Sequence, residues 1–206
     1  MPRHIDSIIA MYFRSNEVDR LKGKNWYSNA YDITVTIGRK YEVHERTVAG
    51  VISALSPTNK WIRNIEDAKN MFRHYSYGFS FNDCKVSTFN TQKNKAIEII
   101  ENNYSDDVVI KNILNGQKTK SFYSNISTNG KTEDCTIDGH SYNVWNGTAT
   151  NLRSVPSITE KSYKMIQNDY KEATDIINSI ERNNYNTSQI QAITWVAYRR
   201  IYKNMI

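Results

Sequence analysis

Apolar residues recur along this chain at intervals of three and four and hardly anywhere in strict alternation. That pattern predicts helices and almost no strands. Ile5, Ile8, Ile9, Tyr12 and Phe13 form one such stripe within His4–Leu21. Ala30, Ile33 and Ile37 continue it through Trp26–Ile37, and Gly38 reads as a stop. Glu45–Leu55 is so apolar that it must be buried, and Pro57 ends it. Ile65, Ala68, Met71 and Phe72 mark a helix over Ile62–Tyr75, and Ala96, Ile99 and Ile100 mark another over Thr91–Asn103. Ser105 reads as the cap of a short helix ending at Leu114, with Asp106 and Asp107 in its first turn, where the helix dipole favours negative charge. An apolar helix resumes at Phe122. Asp138 reads as an N-cap, with Gly147 as the matching C-terminal stop. Ser157-x-x-Glu160 predicts a capping box for a long helix to about Ile180, and Thr187 opens the last helix, which holds Ile190, Ile193, Trp195 and Ile201. The expectation is an all-α fold of nine or ten helices.

With 206 residues, the chain can form one domain or two small lobes around a sizeable core. Its net charge of +6 favours a polyanionic partner, and its 14 tyrosines suit a surface that meets one. Cys84 and Cys135 are the two cysteines, with no C-x-x-C pair, which argues against thiolate ligation of zinc or an iron–sulfur cluster. His4, His44 and His74 are scattered without ligand spacing, so no metal site is expected. No apolar run approaches a membrane span and no signal peptide is evident, so the prediction is a cytoplasmic protein with no membrane association.

Between two helices lies L-N-G-Q-K-T-K-S-F-Y, Leu114 to Tyr123. It sets two lysines, Lys118 and Lys120, at the mouth of a helix, where the dipole repels cations. Either they reach outward to phosphate or one of them is kept as a neutral amine. Around this segment stand further landmarks in order: I-S-A-L-S-P-T-N ending the buried helix, K-A-I-E-I-I at Lys95–Ile100, and T-I-D-G-H at Thr136–His140.

Together these resemble the helix-hairpin-helix DNA glycosylase superfamily, of which endonuclease III is a member. That family's buried helix ends in L-L-S-A-Q-A-T-D, its hairpin reads L-P-G-V-G-x-K-T-A and its catalytic carboxylate lies in V-D-T-H. Leu114-Asn115-Gly116 is similar to the L-P-G, Lys120 falls on the catalytic lysine, and Asp138 falls on the carboxylate eighteen positions later. The hairpin's second glycine is Lys118 here, so a shorter turn would make Lys118 the functional lysine instead. The four-cysteine cluster of endonuclease III is absent. The resemblance covers roughly residues 48–147. Trp26-Tyr27 and Val48–Pro57 also look like a group of phage-encoded proteins.

The resemblance implies a two-lobed, all-α helix-hairpin-helix DNA glycosylase-like fold. One lobe would comprise residues 1–44 with 150–206, and the other residues 45–149 with the hairpin and the carboxylate. It implies a monomeric enzyme that acts on double-stranded DNA, flips a damaged or modified base and excises it, with or without lyase activity at the abasic site. It implies no cofactor, though it allows a monovalent ion at the hairpin. Asp138 would stabilise the positive charge that builds on the sugar as the base leaves. Lys120 or Lys118 would attack the sugar as a neutral amine, a form favoured by burial and by a helix N-terminus. Gly116, Gln117 and Thr119 would contact phosphate, Asn59 or a neighbour would fill the gap left by the flipped base, and Trp26, Tyr27, Trp145 or Trp195 would stack on that base. Arg199 and Arg200, with Lys203, read as a phosphate-facing end of the last helix or as a solvated face. Two other readings stay open: an enzyme of this fold used in phage base hypermodification, and a non-catalytic DNA-binding module.

Overall fold

The computed structural model describes residues 4–202, and Lys203 lies outside them. Among the described residues the chain has eleven α-helices, two short 3-10 turns and no strand. It divides into two compact units. One combines the residues up to Ser28 with those from Thr128 onward, and the other is Asn29–Ser127.

The terminal unit holds α1 (His4–Phe13), α2 (Glu17–Lys24), α9 (Gly139–Asn146), α10 (Glu160–Glu181) and α11 (Thr187–Ile201). The single helix expected over His4–Leu21 is two, because Asn16 and Asp19 close a capping box that starts α2 afresh. The periodicity runs across this break and conceals it. Ile8 and Tyr12 of α1, Ile166 and Tyr170 of α10 and Ile193 of α11 are fully buried in one core. Helix α2 packs on α11 at Gly23, where a Cβ would lie 2.4 Å from the Cα of Ile193; no larger residue allows that approach.

The second unit holds most of α3 (Trp26–Tyr41), then α4 (Glu45–Ala54), α5 (Trp61–Ser76), α6 (Asn90–Glu101), α7 (Asp107–Leu114) and α8 (Gln117–Ser127). Every residue of α4 from Thr47 to Ala54 is buried, and α5, α6, α7 and α8 all pack on it. Gly38 does not end α3, which runs on to Tyr41. Its small size serves the turn beyond, where a Cβ would meet the Val43 carbonyl at 2.7 Å.

The two units are not bounded where the resemblance put them. Helix α9 packs on α1, α10 and α11, so Asp138 belongs with the chain ends rather than with the hairpin. Two expected caps also move, while the last helix starts at Thr187 as expected. Asp106 rather than Ser105 caps α7, and Thr159 rather than Ser157 caps α10. Asn186 forms a capping box with Gln189 ahead of Thr187.

Candidate functional site

In the second unit, α7 and α8 are joined by Asn115 and Gly116 alone. The central residue of this turn is Asn115, with φ 62° and ψ −39°, and the Gly116 N–H donates to the Leu114 carbonyl at 2.8 Å, which closes a γ-turn. Lys95, on α6, donates to the Leu114 carbonyl at 2.8 Å. Its charge sits at the negative end of α7 and fixes the turn from behind. Thr119 is 7% exposed, and its hydroxyl donates to the Gly116 carbonyl at 2.9 Å. It therefore braces the turn rather than facing a ligand. Gly116 has no side chain with which to cap α8, so the helix opens with its N–H groups and two lysines. Lys118 is exposed and Lys120 half-buried, and neither ammonium has an ion-pair partner among the described residues. Gln117 is half-buried beside them. The apolar pattern begins only at Phe122 because the first turn of α8 is polar.

In the terminal unit, Asp138 caps α9 as the sequence predicts. The Ser141 backbone N–H and hydroxyl donate to its Oδ1 at 2.8 Å and 3.0 Å. The Trp195 indole N–H donates to Oδ2 at 2.8 Å. A buried series of hydrogen bonds leads to this carboxylate. The Tyr27 hydroxyl donates to Gln191 at 3.1 Å, Gln191 donates to the Ser141 hydroxyl at 2.9 Å, and Ser141 donates to Asp138. Burial pushes the Tyr27 phenol far above its ordinary range, so it stays protonated and the series keeps its direction. Donors aligned in this way strengthen one another. Around the carboxylate stand half-buried rings: Trp26 lies 5.0 Å from Trp195, and His140 meets Trp195 edge-on at 6.1 Å. The Arg199 guanidinium lies 4.5 Å over the Trp195 ring, within cation–π range. Burial, aided by Arg199, lowers the His140 pKa despite the opposing pull of Asp138.

The family described as a family of unknown function (DUF7178) matches residues 2–202. The chain belongs to it. No curated protein and no solved structure matches the chain.

In this DUF7178 chain, several residues expected at a DNA surface have other work. Trp145 is 6% exposed and Tyr27 is 5% exposed. Trp145 stacks on His4 at 3.7 Å and donates to Asp169, so neither ring offers a face to a base. Arg200 is committed to Asp19, which is 2% exposed, through contacts of 2.8–3.1 Å. Asn59 turns inward, donating to the Leu55 carbonyl at 3.3 Å and to Asp67 at 3.0 Å, while Thr58 with φ 59° occupies the exposed tip of that loop. Trp26, Trp195 and Arg199 do gather beside Asp138. Sequence reasoning missed Ser141 and Gln191, which hold the carboxylate, and Lys95, which holds the hairpin. Gln191 sits on the apolar helix α11 and is 4% exposed. An uncharged polar residue inside a buried stripe was the available signal. Among the described residues no three His, Cys, Asp or Glu side chains converge as a metal site requires. No helix among them is long and apolar enough to cross a membrane.

Proposed function

We propose that this protein is a DNA glycosylase that breaks a base–sugar bond, with Asp138 as its catalytic carboxylate. The observation that carries the reading is the set of three donors that hold Asp138 in one orientation at the positive end of α9. As a base departs, its sugar approaches an oxocarbenium ion. A carboxylate already fixed by its surroundings stabilises that charge without reorganising. Trp26 and Trp195 supply ring faces for an extruded base, and Arg199 adds a cation for a neighbouring phosphate. The α8 hairpin contributes DNA contacts through its first-turn N–H groups and lysines. Lys120, the more sheltered lysine, is the candidate nucleophile, and Lys118 is a phosphate ligand.

A second reading, a non-catalytic DNA-binding module, has one observation in its favour. The same three donors also suit a carboxylate whose sole work is to anchor α9 to α11.

One experiment separates the two. Duplex oligonucleotides carrying a panel of modified bases are incubated with the protein, and released base is measured by mass spectrometry. The catalytic reading expects release from at least one duplex and a loss of about 100-fold or more with Asp138→Asn. Asparagine keeps the cap to Ser141, so helix content by circular dichroism stays unchanged. Borohydride trapping of a DNA adduct that is lost in Lys120→Ala assigns the nucleophile. A base joined to the sugar in exchange for the one released would mark base modification rather than excision. DNA binding with no release from any duplex, or an Asp138→Asn protein as active as the wild type, would overturn the catalytic reading.

A further inference from the structure

We propose that the aromatic turn at the end of α5 is a binding site for unpaired nucleic acid, with Tyr77 and Phe79 stacking on bases. Three large rings stand in solvent within five residues: Tyr75 is 38% exposed, Tyr77 67% and Phe79 57%. Scattered exposed apolar residues are ordinary, but adjoining rings on an ordered support are not. Tyr77 and Phe79 lie parallel to within 29°, their centroids 5.6 Å apart. His74 braces Phe79 edge-on at 5.8 Å.

The support is rigid at the level of the backbone. The Phe79 N–H donates to the His74 carbonyl at 2.8 Å, and the Tyr77 N–H donates to the Arg73 carbonyl at 3.1 Å. The His74 ring nitrogen Nδ1 pairs with the Ser80 carbonyl at 3.0 Å. Gly78, at φ 66°, supplies the reversal that brings Phe79 back beside Tyr77. The rings are thus held ready while uncovered, which lowers the ordering cost of binding.

Charge identifies the occupant. From residue 73 to residue 93 the chain has three cations, Arg73, Lys85 and Lys93, against one carboxylate, Asp83. Arg73 and Lys85 are exposed. Burial raises the pKa of the Cys84 thiol, Lys93 and Arg73 act against that rise and Asp67 adds to it. The two cations thus stand near the 3-10 turn Phe81–Asp83 that packs on α5, while the Asp67 charge there is met by Arg63 at 2.9 Å. Exposed rings among cations match the two chemistries of a single strand, base faces and phosphates. A duplex keeps its base faces inside its own stack, so it offers these rings little. The site lies wholly in the second unit and depends on neither Asp138 nor the reading proposed for it.

The test is fluorescence anisotropy with a labelled oligothymidylate of about 15 nucleotides and a labelled duplex of equal length, at low salt. The wild type should bind the single strand. Tyr77→Ala with Phe79→Ala should weaken that binding by ~10-fold or more and change duplex affinity by less than about twofold. Because both side chains are exposed, the double variant should keep its helix content and melting temperature. Tyr77→Trp gives an independent signal: its emission should be quenched by the single strand. Absence of single-strand binding by the wild type, or equal affinity in the double variant, would overturn the proposal. So would sedimentation showing a wild-type dimer that the double variant dissolves, since the rings would then cover a second copy of the chain.

Discussion

Helices α8 and α9 both begin at a turn, yet their N-termini are built on opposite plans. Helix α8 follows a glycine, opens with Gln117, Lys118 and Thr119, and leaves its two ammonium groups unpaired among the described residues. Helix α9 follows a carboxylate fixed by a backbone N–H, a hydroxyl and an indole. The contrast separates two demands that DNA chemistry makes on side chains. Phosphate contacts tolerate mobile side chains, since a lysine works as a point charge at several positions. Stabilising a developing charge on a sugar requires a group held still beforehand. On the reading proposed above, the α8 turn serves attraction and the α9 turn position.

Stability offers the largest test of this contrast. Asp138→Ala removes the cap of α9 and strands the Trp195 indole N–H, so it should destabilise the fold by about 2–3 kcal/mol in denaturant titration. Lys118→Ala and Lys120→Ala should each move stability by less than ~0.5 kcal/mol. Equal effects at both turns would break the comparison. Next comes the indole itself. Trp195→Phe keeps the ring but deletes the donor to Asp138, and should lower kcat for base release by about tenfold with little change in KM. A change confined to KM would mean that the indole N–H does not position Asp138.

The α9 turn was legible in the sequence because both its ends are local: an Asp cap and, eight residues after that helix opens, Gly147 with φ 67°. Its function was less legible. Trp195 lies 57 positions from Asp138, and no pattern of period three or four links residues so far apart. At the α8 turn the lysines do lie at the helix mouth, as expected, but the helix start was hidden. That helix starts at Gln117, ahead of the first apolar position that periodicity can detect. Tyr27 and Trp145 show the remaining weakness: an aromatic at helical spacing reads the same whether it meets a ligand or the core, and here both meet the core. Arg199 and Arg200 are neighbours in sequence, yet one lies over an indole and the other neutralises a buried aspartate.

Two smaller effects sharpen the picture. Lys118→Ala with Lys120→Ala should reduce the slope of log affinity against log salt for duplex DNA by about 1.8, as expected when two phosphates are no longer neutralised. An unchanged slope would remove the hairpin from the DNA interface. The smallest effect concerns His140. Burial lowers its pKa from the ordinary 6.5, so the unfolded chain takes up a proton more readily than the folded one. This part of the stability is fully present above pH 6.5 and is lost as pH falls toward the lowered value. His140→Gln should flatten the stability curve across that window, and a curve of unchanged shape would mean that His140 does not titrate on unfolding.

The terminal unit is assembled from the two ends of the chain, with α2 seated against α11 at Gly23. During synthesis, α1 and α2 are made about 160 residues before α11. At about 5–20 residues per second this is an interval of roughly 8–32 s. For most of that time Ile5, Ile8, Met11 and Tyr12, buried in the finished fold, have neither α10 nor α11 to cover them. The unit between the ends can meanwhile complete its own core around α4. The hairpin unit is thus complete in the growing chain before the carboxylate unit, whose α1 and α2 wait for partners made much later.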